Sequence, residues 1–182
     1  MASRMTLHLP TFFDYIRRAP FGGRLSQSQV DGVNLILTHA GQQGIIDDRH
    51  LAYILATAFH ETGARMEAVR EGFARSDAAA RRVVAGRRYG REVNGHVYYG
   101  RGLVQLTWRR NYAAMGEALG LPLESQPDLA LDPVVSVKAL IKGMADGMFT
   151  GKALREYFAD GVDDPEGARR IVNGTDKASL IA

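Results

Sequence analysis

The sequence predicts a mainly α-helical protein. Three observations carry that expectation. Capping residues recur ahead of apolar residues spaced three or four apart, glycines stand where those stripes stop, and one stretch, residues 94–107, has the make-up of extended chain. With 182 residues, 46% of them hydrophobic, the chain can bury a core as one domain, and two lobes around a cleft would fit the same length. It has no cysteine, so packing alone must hold it, as suits synthesis in a reducing compartment.

Taken in order, Ser26 with Gln29 forms a capping box before VDGVNLILTHAG, whose Val30, Val33, Leu37 and Ala40 make a stripe at helical spacing. Asp47 or Asp48 caps the next helix, LAYILATAFHETG, and Thr62-Gly63 stops it. ARMEAVREGFARSDAAARR, residues 64–82, has no clean apolar period around Gly72 and reads as a loop. Residues 94–107 carry Gly95, Gly100 and Gly102 among Val97, Tyr98, Tyr99, Val104 and Leu106, which predicts turn-rich extended chain or a small hairpin. Thr107 caps WRRNYAAMGEAL, with Gly120 beyond its end. Asp132-Pro133 starts VVSVKALIKGMA, and Asp164-Pro165 starts EGARRIV before Asn173-Gly174.

The formal charge of +3, from 23 Lys and Arg against 20 Asp and Glu, suits an anionic polymer but is too small to demand nucleic acid. No segment approaches the roughly 18 apolar residues of a membrane span, and the start, with Met5 as a candidate natural initiator, lacks an apolar stretch fit for export. The expectation is a monomer that inserts in no membrane and is made in the cytoplasm without a signal peptide.

Within the helix at 51–63, Leu51, Leu55, Ala58 and Phe59 share a stripe, with Ile54 near its edge; Glu61 falls about 20° beyond Ile54 and His60 lands opposite. Partial burial there would raise the Glu61 carboxyl from its ordinary value of about 4.3 and fit it for general acid work. The same position fits a boundary glutamate paired with an arginine such as Arg65. Hydrolysis of a glycosidic link needs a second carboxylate, and Glu67, Glu71 and Asp77 are all candidates. In YYGRGLVQLTW, residues 98–108, two glycines allow close backbone approach, while tyrosine faces and short polar side chains suit a sugar chain; a hairpin with its tyrosines packed inside fits equally.

Two rival chemistries fail on spacing. Ala64 stands four residues after His60, so no HExxH zinc motif is present, and GMFTGKAL is one residue short of a phosphate-binding loop, with Ala153 where a hydroxyl should hold magnesium. No metal or organic cofactor is expected.

Several ordered motifs together resemble family 19 glycoside hydrolases, the group of plant-type chitinases and phage-like endolysins with a lysozyme-like helical fold. They are AFHET at 58–62, an acid in the following segment, YYGRGLVQLTW followed by Asn111-Tyr112, PDLALDP at 127–133 and RIVNGT at 170–175. The compact, cysteine-free form is similar to the bacterial and phage lysins more than to the plant enzymes. The resemblance implies that Glu61 is the proton donor, that Glu71 in VREGF is the second carboxylate, with Glu67 and Asp77 as alternatives, and that Thr107 helps hold the attacking water. It implies that Tyr98, Gln105, Asn111 and Asn173 line a sugar cleft and that Arg101, bordering that cleft, and Arg170 support the carboxylates. It further implies inverting hydrolysis of a β-1,4 link in an N-acetylated wall polymer. Peptidoglycan is the expected polymer, with chitin as the alternative; an export route such as a holin would take the protein to the wall. A lytic transglycosylase and a non-catalytic glycan-binding protein are the remaining rivals. With Ala182 nine residues after Asn173, a final helix seen in relatives is expected to be missing or short.

Overall fold

The computed structural model describes residues 7–174 and 177–182, and the mainly helical expectation holds over them. In chain order they form α1 (Leu9–Arg18), α2 (Gln27–Gln42), α3 (Asp48–Glu61), β1 (Val69–Arg70), α4 (Asp77–Val84), β2 (Arg101–Gly102), α5 (Arg109–Leu119), α6 (Pro133–Asp146), β3 (Phe158–Ala159), β4 (Val162–Asp163) and α7 (Ala178–Ile181), with short 3-10 turns between. The candidate start Met5 and Thr175 of RIVNGT lie outside the described residues.

Local signals set most helix starts. The Gln29 N–H donates to Ser26 Oγ at 3.2 Å and the Ser26 N–H to Gln29 Oε1 at 2.8 Å, closing the capping box of α2. Asp47 caps α3 by accepting the Arg49 N–H at 2.9 Å, and Asp132 caps α6 by accepting from Val134 and Val135 at 2.9 and 3.0 Å.

Elsewhere longer-range forces prevail. Thr107 does not cap α5: its hydroxyl donates to the Gln105 carbonyl at 2.7 Å, and Trp108 takes the cap position. The expected loop at 64–82 contains α4, which Ser76 caps at 3.2 Å and which buries Ala80 and Val84. The 94–107 stretch is turn-rich extended chain with a tight antiparallel bridge of its own, Arg101 opposite Leu106, and β2 also pairs antiparallel with β1 from the preceding segment, Val69 opposite Gly102 and Arg70 opposite Arg101. EGARRIV winds as a 3-10 turn over Gly167–Ile171 rather than an α-helix. Helix α1 and the β3–β4 ladder had no prior sign in the sequence reading, and α7 is a single turn.

Helix α6 is the axis of the molecule. Seven of its residues, from Ser136 to Met144, are buried. On one side α2, through Val33, Ile36 and Ala40, and α3 pack into the larger core; on the other, Ala139 joins Tyr98, Leu106, Tyr112, Met115 and Leu123 in a second cluster with α5. The face that α3 turns to this core differs from the expected stripe. Tyr53, Ile54, Thr57 and Ala58 are its buried residues, whereas Leu51, Leu55 and Phe59 are partly buried. Ile54 is thus central, and Glu61, one turn beyond Thr57 and Ala58, continues the inward face instead of marking its rim. Gly32 lets the turn after α3 lie close on α2: a Cβ there would stand 2.0 Å from the Met66 carbonyl oxygen.

Candidate active site

Glu61 ends α3 as it leaves the core, and the chain returns through Met66 to β1, whose next residue is Glu71. Pairing of β1 with β2 therefore brings Glu71 against the 97–107 segment. The Glu71 N–H donates to the Gly100 carbonyl at 2.7 Å and the Gly100 N–H donates to Glu71 Oε2 at 2.8 Å. Gly100 is needed there, because a Cβ would stand 2.7 Å from Gln105 Oε1.

Glu61, Glu71, Gln105, Thr107, Asn111 and Asn173 line one cleft of about 500 Å³. Both carboxylates are largely buried, with side chains 16% and 15% exposed. Their partners differ in kind. Glu61 Oε1 accepts from Nη1 of the buried Arg169 at 2.9 Å, a pair that joins residues 108 apart in the chain. Glu71 Oε1 accepts from the Tyr89 hydroxyl at 2.7 Å and lies 3.1 Å from Arg87 Nη1. Burial first, then the bond to Glu71, raise the Tyr89 phenol above its ordinary value, so it stays a donor at neutral pH.

The three candidates for the second acid are separated by position. Glu67 is exposed beside Ser28, Asp31 and Pro133 on another face. Asp77 is spent on Arg81 at 2.6 Å, the Tyr99 hydroxyl at 2.8 Å and Arg101 at 3.4 Å. Of the three, Glu71 alone shares the cleft of Glu61.

Several polar side chains on the cleft wall also brace it. Gln105, at φ 53, donates its amide to the carbonyls of Val69 and Gly102, both at 3.0 Å, and so ties β1 to β2. Asn111 donates to the Thr107 carbonyl at 2.8 Å. Since the Thr107 hydroxyl donates inward, its lone pairs are what it offers to the cleft. Trp108, at φ 74 and 39% exposed, adds an aromatic face beside Tyr89, with ring centres 5.4 Å apart. Two non-glycine residues at positive φ within four positions concentrate backbone strain on this wall.

Two expected cleft residues lie elsewhere. Tyr98 is buried in the second core, its hydroxyl donating to the Glu124 carbonyl at 2.9 Å and its ring edge-on to Tyr112. Arg101 is 2% exposed and reaches neither Glu61 nor Glu71 through its side chain; its guanidinium lies 3.6 Å over Tyr99 and bonds Asp128 at 2.7 Å, the Tyr112 hydroxyl at 3.1 Å and the Val97 carbonyl at 3.0 Å. It follows Gly100 in the chain, whose N–H bonds Glu71. The arginine on Glu61 is Arg169, and Arg170, expected in such a role, is exposed; the 3-10 turn directs the one inward and the other outward. Arg65, the alternative partner, bonds the Thr62 carbonyl at 3.3 Å and stacks 4.0 Å over Phe73. Sequence reasoning missed Arg169, Tyr89 and Arg110. The neighbouring Arg169-Arg170 pair was the one usable signal.

A family model described as chitinase class I matches residues 37–146. An endochitinase from Arabidopsis thaliana is 36% identical over 125 residues, 67% of this chain and 39% of that protein. An inactive chitinase-like protein 1 from Hevea brasiliensis is 56% identical over 48 residues, 26% of this chain and 15% of its own length. The chain thus spans well under half of these curated relatives. Among solved structures, chitinase C from Streptomyces griseus HUT6037 aligns with a TM-score of 0.54 at 24% identity, covering 86% of this chain and 66% of that one, which shows a shared, lysozyme-like helical fold.

Proposed function

We propose that this chain, which belongs to the chitinase class I family, glycoside hydrolase family 19, is one catalytic domain that cleaves β-1,4 links of an N-acetylated glycan by single displacement. The observation that carries the reading is one cleft holding two carboxylates with different partners, Glu61 on the buried Arg169 and Glu71 on the Tyr89 hydroxyl, the Gly100 N–H and the exposed Arg87, with the Thr107 hydroxyl beside them.

The steps follow from that arrangement. Glu61 gives a proton from Oε2 to the glycosidic oxygen as the bond to the anomeric carbon breaks, Oε1 being held by Arg169. Glu71 accepts one hydrogen of a water and Thr107 Oγ accepts the other, which leaves an oxygen lone pair to attack the anomeric carbon from the opposite face. The water's proton ends on Glu71, and the product is inverted. Such a mechanism requires the two carboxyls about 6.5–9.5 Å apart. Asn111, Asn173 and the face of Trp108 are proposed to bind the sugar.

Peptidoglycan is the polymer favoured by charge, since the exposed Arg87 and Arg110 stand on the cleft wall and the chain is net basic. The names of the relatives favour chitin as the second reading. Digestion of purified peptidoglycan and of soluble chitin oligomers, with products read by mass spectrometry, separates them. New reducing ends from peptidoglycan are expected; products from chitin alone would make the second reading correct, and binding without turnover on both would leave a glycan-binding protein.

A further inference from the structure

We propose that Tyr89, braced by Arg87, is a positioning residue that holds Glu71 in the orientation of a base. The proposal rests on the reading of Glu71 as the base.

Tyr89 comes from the turn after α4, far from the strand pair that carries Glu71, yet its hydroxyl donates to Glu71 Oε1 at 2.7 Å. Arg87 Nη1 donates to the same hydroxyl at 2.6 Å and stands 3.1 Å from that carboxylate oxygen. With the Gly100 N–H on Oε2 and the Tyr89 hydroxyl on Oε1, one hydrogen-bond donor on each oxygen fixes the carboxylate plane, and the Arg87 charge lies beside Oε1. Oε2 keeps a lone-pair direction for a water. The turn itself is set firmly on α4. Arg87 N–H donates to the Val84 carbonyl at 2.8 Å, and Gly90 packs so close that a Cβ would come 1.9 Å from that oxygen. Arg87 is 57% exposed, so its charge is screened and the tyrosine hydroxyl carries the greater share. The Tyr89 ring also lies edge-on to Trp108, the only tryptophan of the chain, which makes its fluorescence a reporter of the wall.

The test compares Tyr89→Phe, Glu71→Met and the double variant. Tyr89→Phe is expected to lower kcat by about 10- to 100-fold, the cost of a misdirected group, with KM and Trp108 emission little changed. The fall should disappear in the Glu71→Met background, because a residue acting through Glu71 has nothing left to position. Arg87→Gln should lower kcat by less than Tyr89→Phe. Unchanged kcat in Tyr89→Phe, or an equal fall with and without Glu71, would overturn the proposal. If the native chain cleaves neither polymer, the hydrolase reading fails separately. Thermal melts of the same variants then decide: coupled melting shifts of Tyr89 and Glu71 support the clamp, and additive shifts overturn it.

Discussion

Glu61→Gln is expected to lower kcat by about 10²–10⁴-fold while leaving glycan binding within a few-fold of the native protein. The glutamine oxygen can still accept from Arg169, so the wall of the cleft keeps its shape, but the amide cannot give a proton to a leaving oxygen. Kinetics on soluble oligomers measure the loss, and quenching of Trp108 emission measures binding independently of turnover. Near-native kcat would remove Glu61 from the chemistry. Weak binding together with a low melting temperature would instead mean that its main role is the ion pair.

Arg101→Leu should produce the largest loss of stability, about 3 kcal/mol. The guanidinium is the hub of a buried network: it satisfies the Val97 carbonyl, stacks on Tyr99 and neutralises Asp77 and Asp128. Leucine fills part of the volume and none of the polar needs. Asp77 and Asp128 have side chains 40% and 52% exposed, so water can take them up, which keeps the cost below that of stranding two buried charges. For a chain of this size the melting point should fall by about 10 °C. Activity should fall with it, since the adjacent Gly100 carries the N–H that holds Glu71. A change of less than about 1 kcal/mol in denaturant unfolding would show that the network contributes little net stability.

The sequence was most legible where structure is decided within a few residues. Ser26 with Gln29, Asp47, and Asp132 before Pro133 all cap the helices they were expected to start, because the donors they satisfy lie two or three positions away. Readings that needed a partner from elsewhere went astray. Ile54 looked peripheral on a helical wheel, yet α3 packs on α2 and α6 with that residue fully buried. Thr107 resembled a cap until the positive φ of Gln105 brought a carbonyl within its reach. Strand β2 was recognisable as extended, but its partner β1 lay in a segment read as loop. The same limit governed the site. Glu61, Glu71 and Thr107 were singled out from motifs, whereas Arg169 and Tyr89 reach the carboxylates only through the tertiary fold. Tyr98 and Arg101 share the glycine-rich motif but spend their side chains inward.

The most direct test of the central claim is the anomeric form of the first product. Proton NMR, recorded within minutes of adding the protein to a soluble fragment of the polymer it cleaves, should show the α-anomer at each new reducing end, as single displacement at a β link demands. The β-anomer appearing first would indicate a retained configuration, and an anhydro end would indicate a transglycosylase; either would contradict Glu61 and Glu71 acting as acid and base in hydrolysis by inversion.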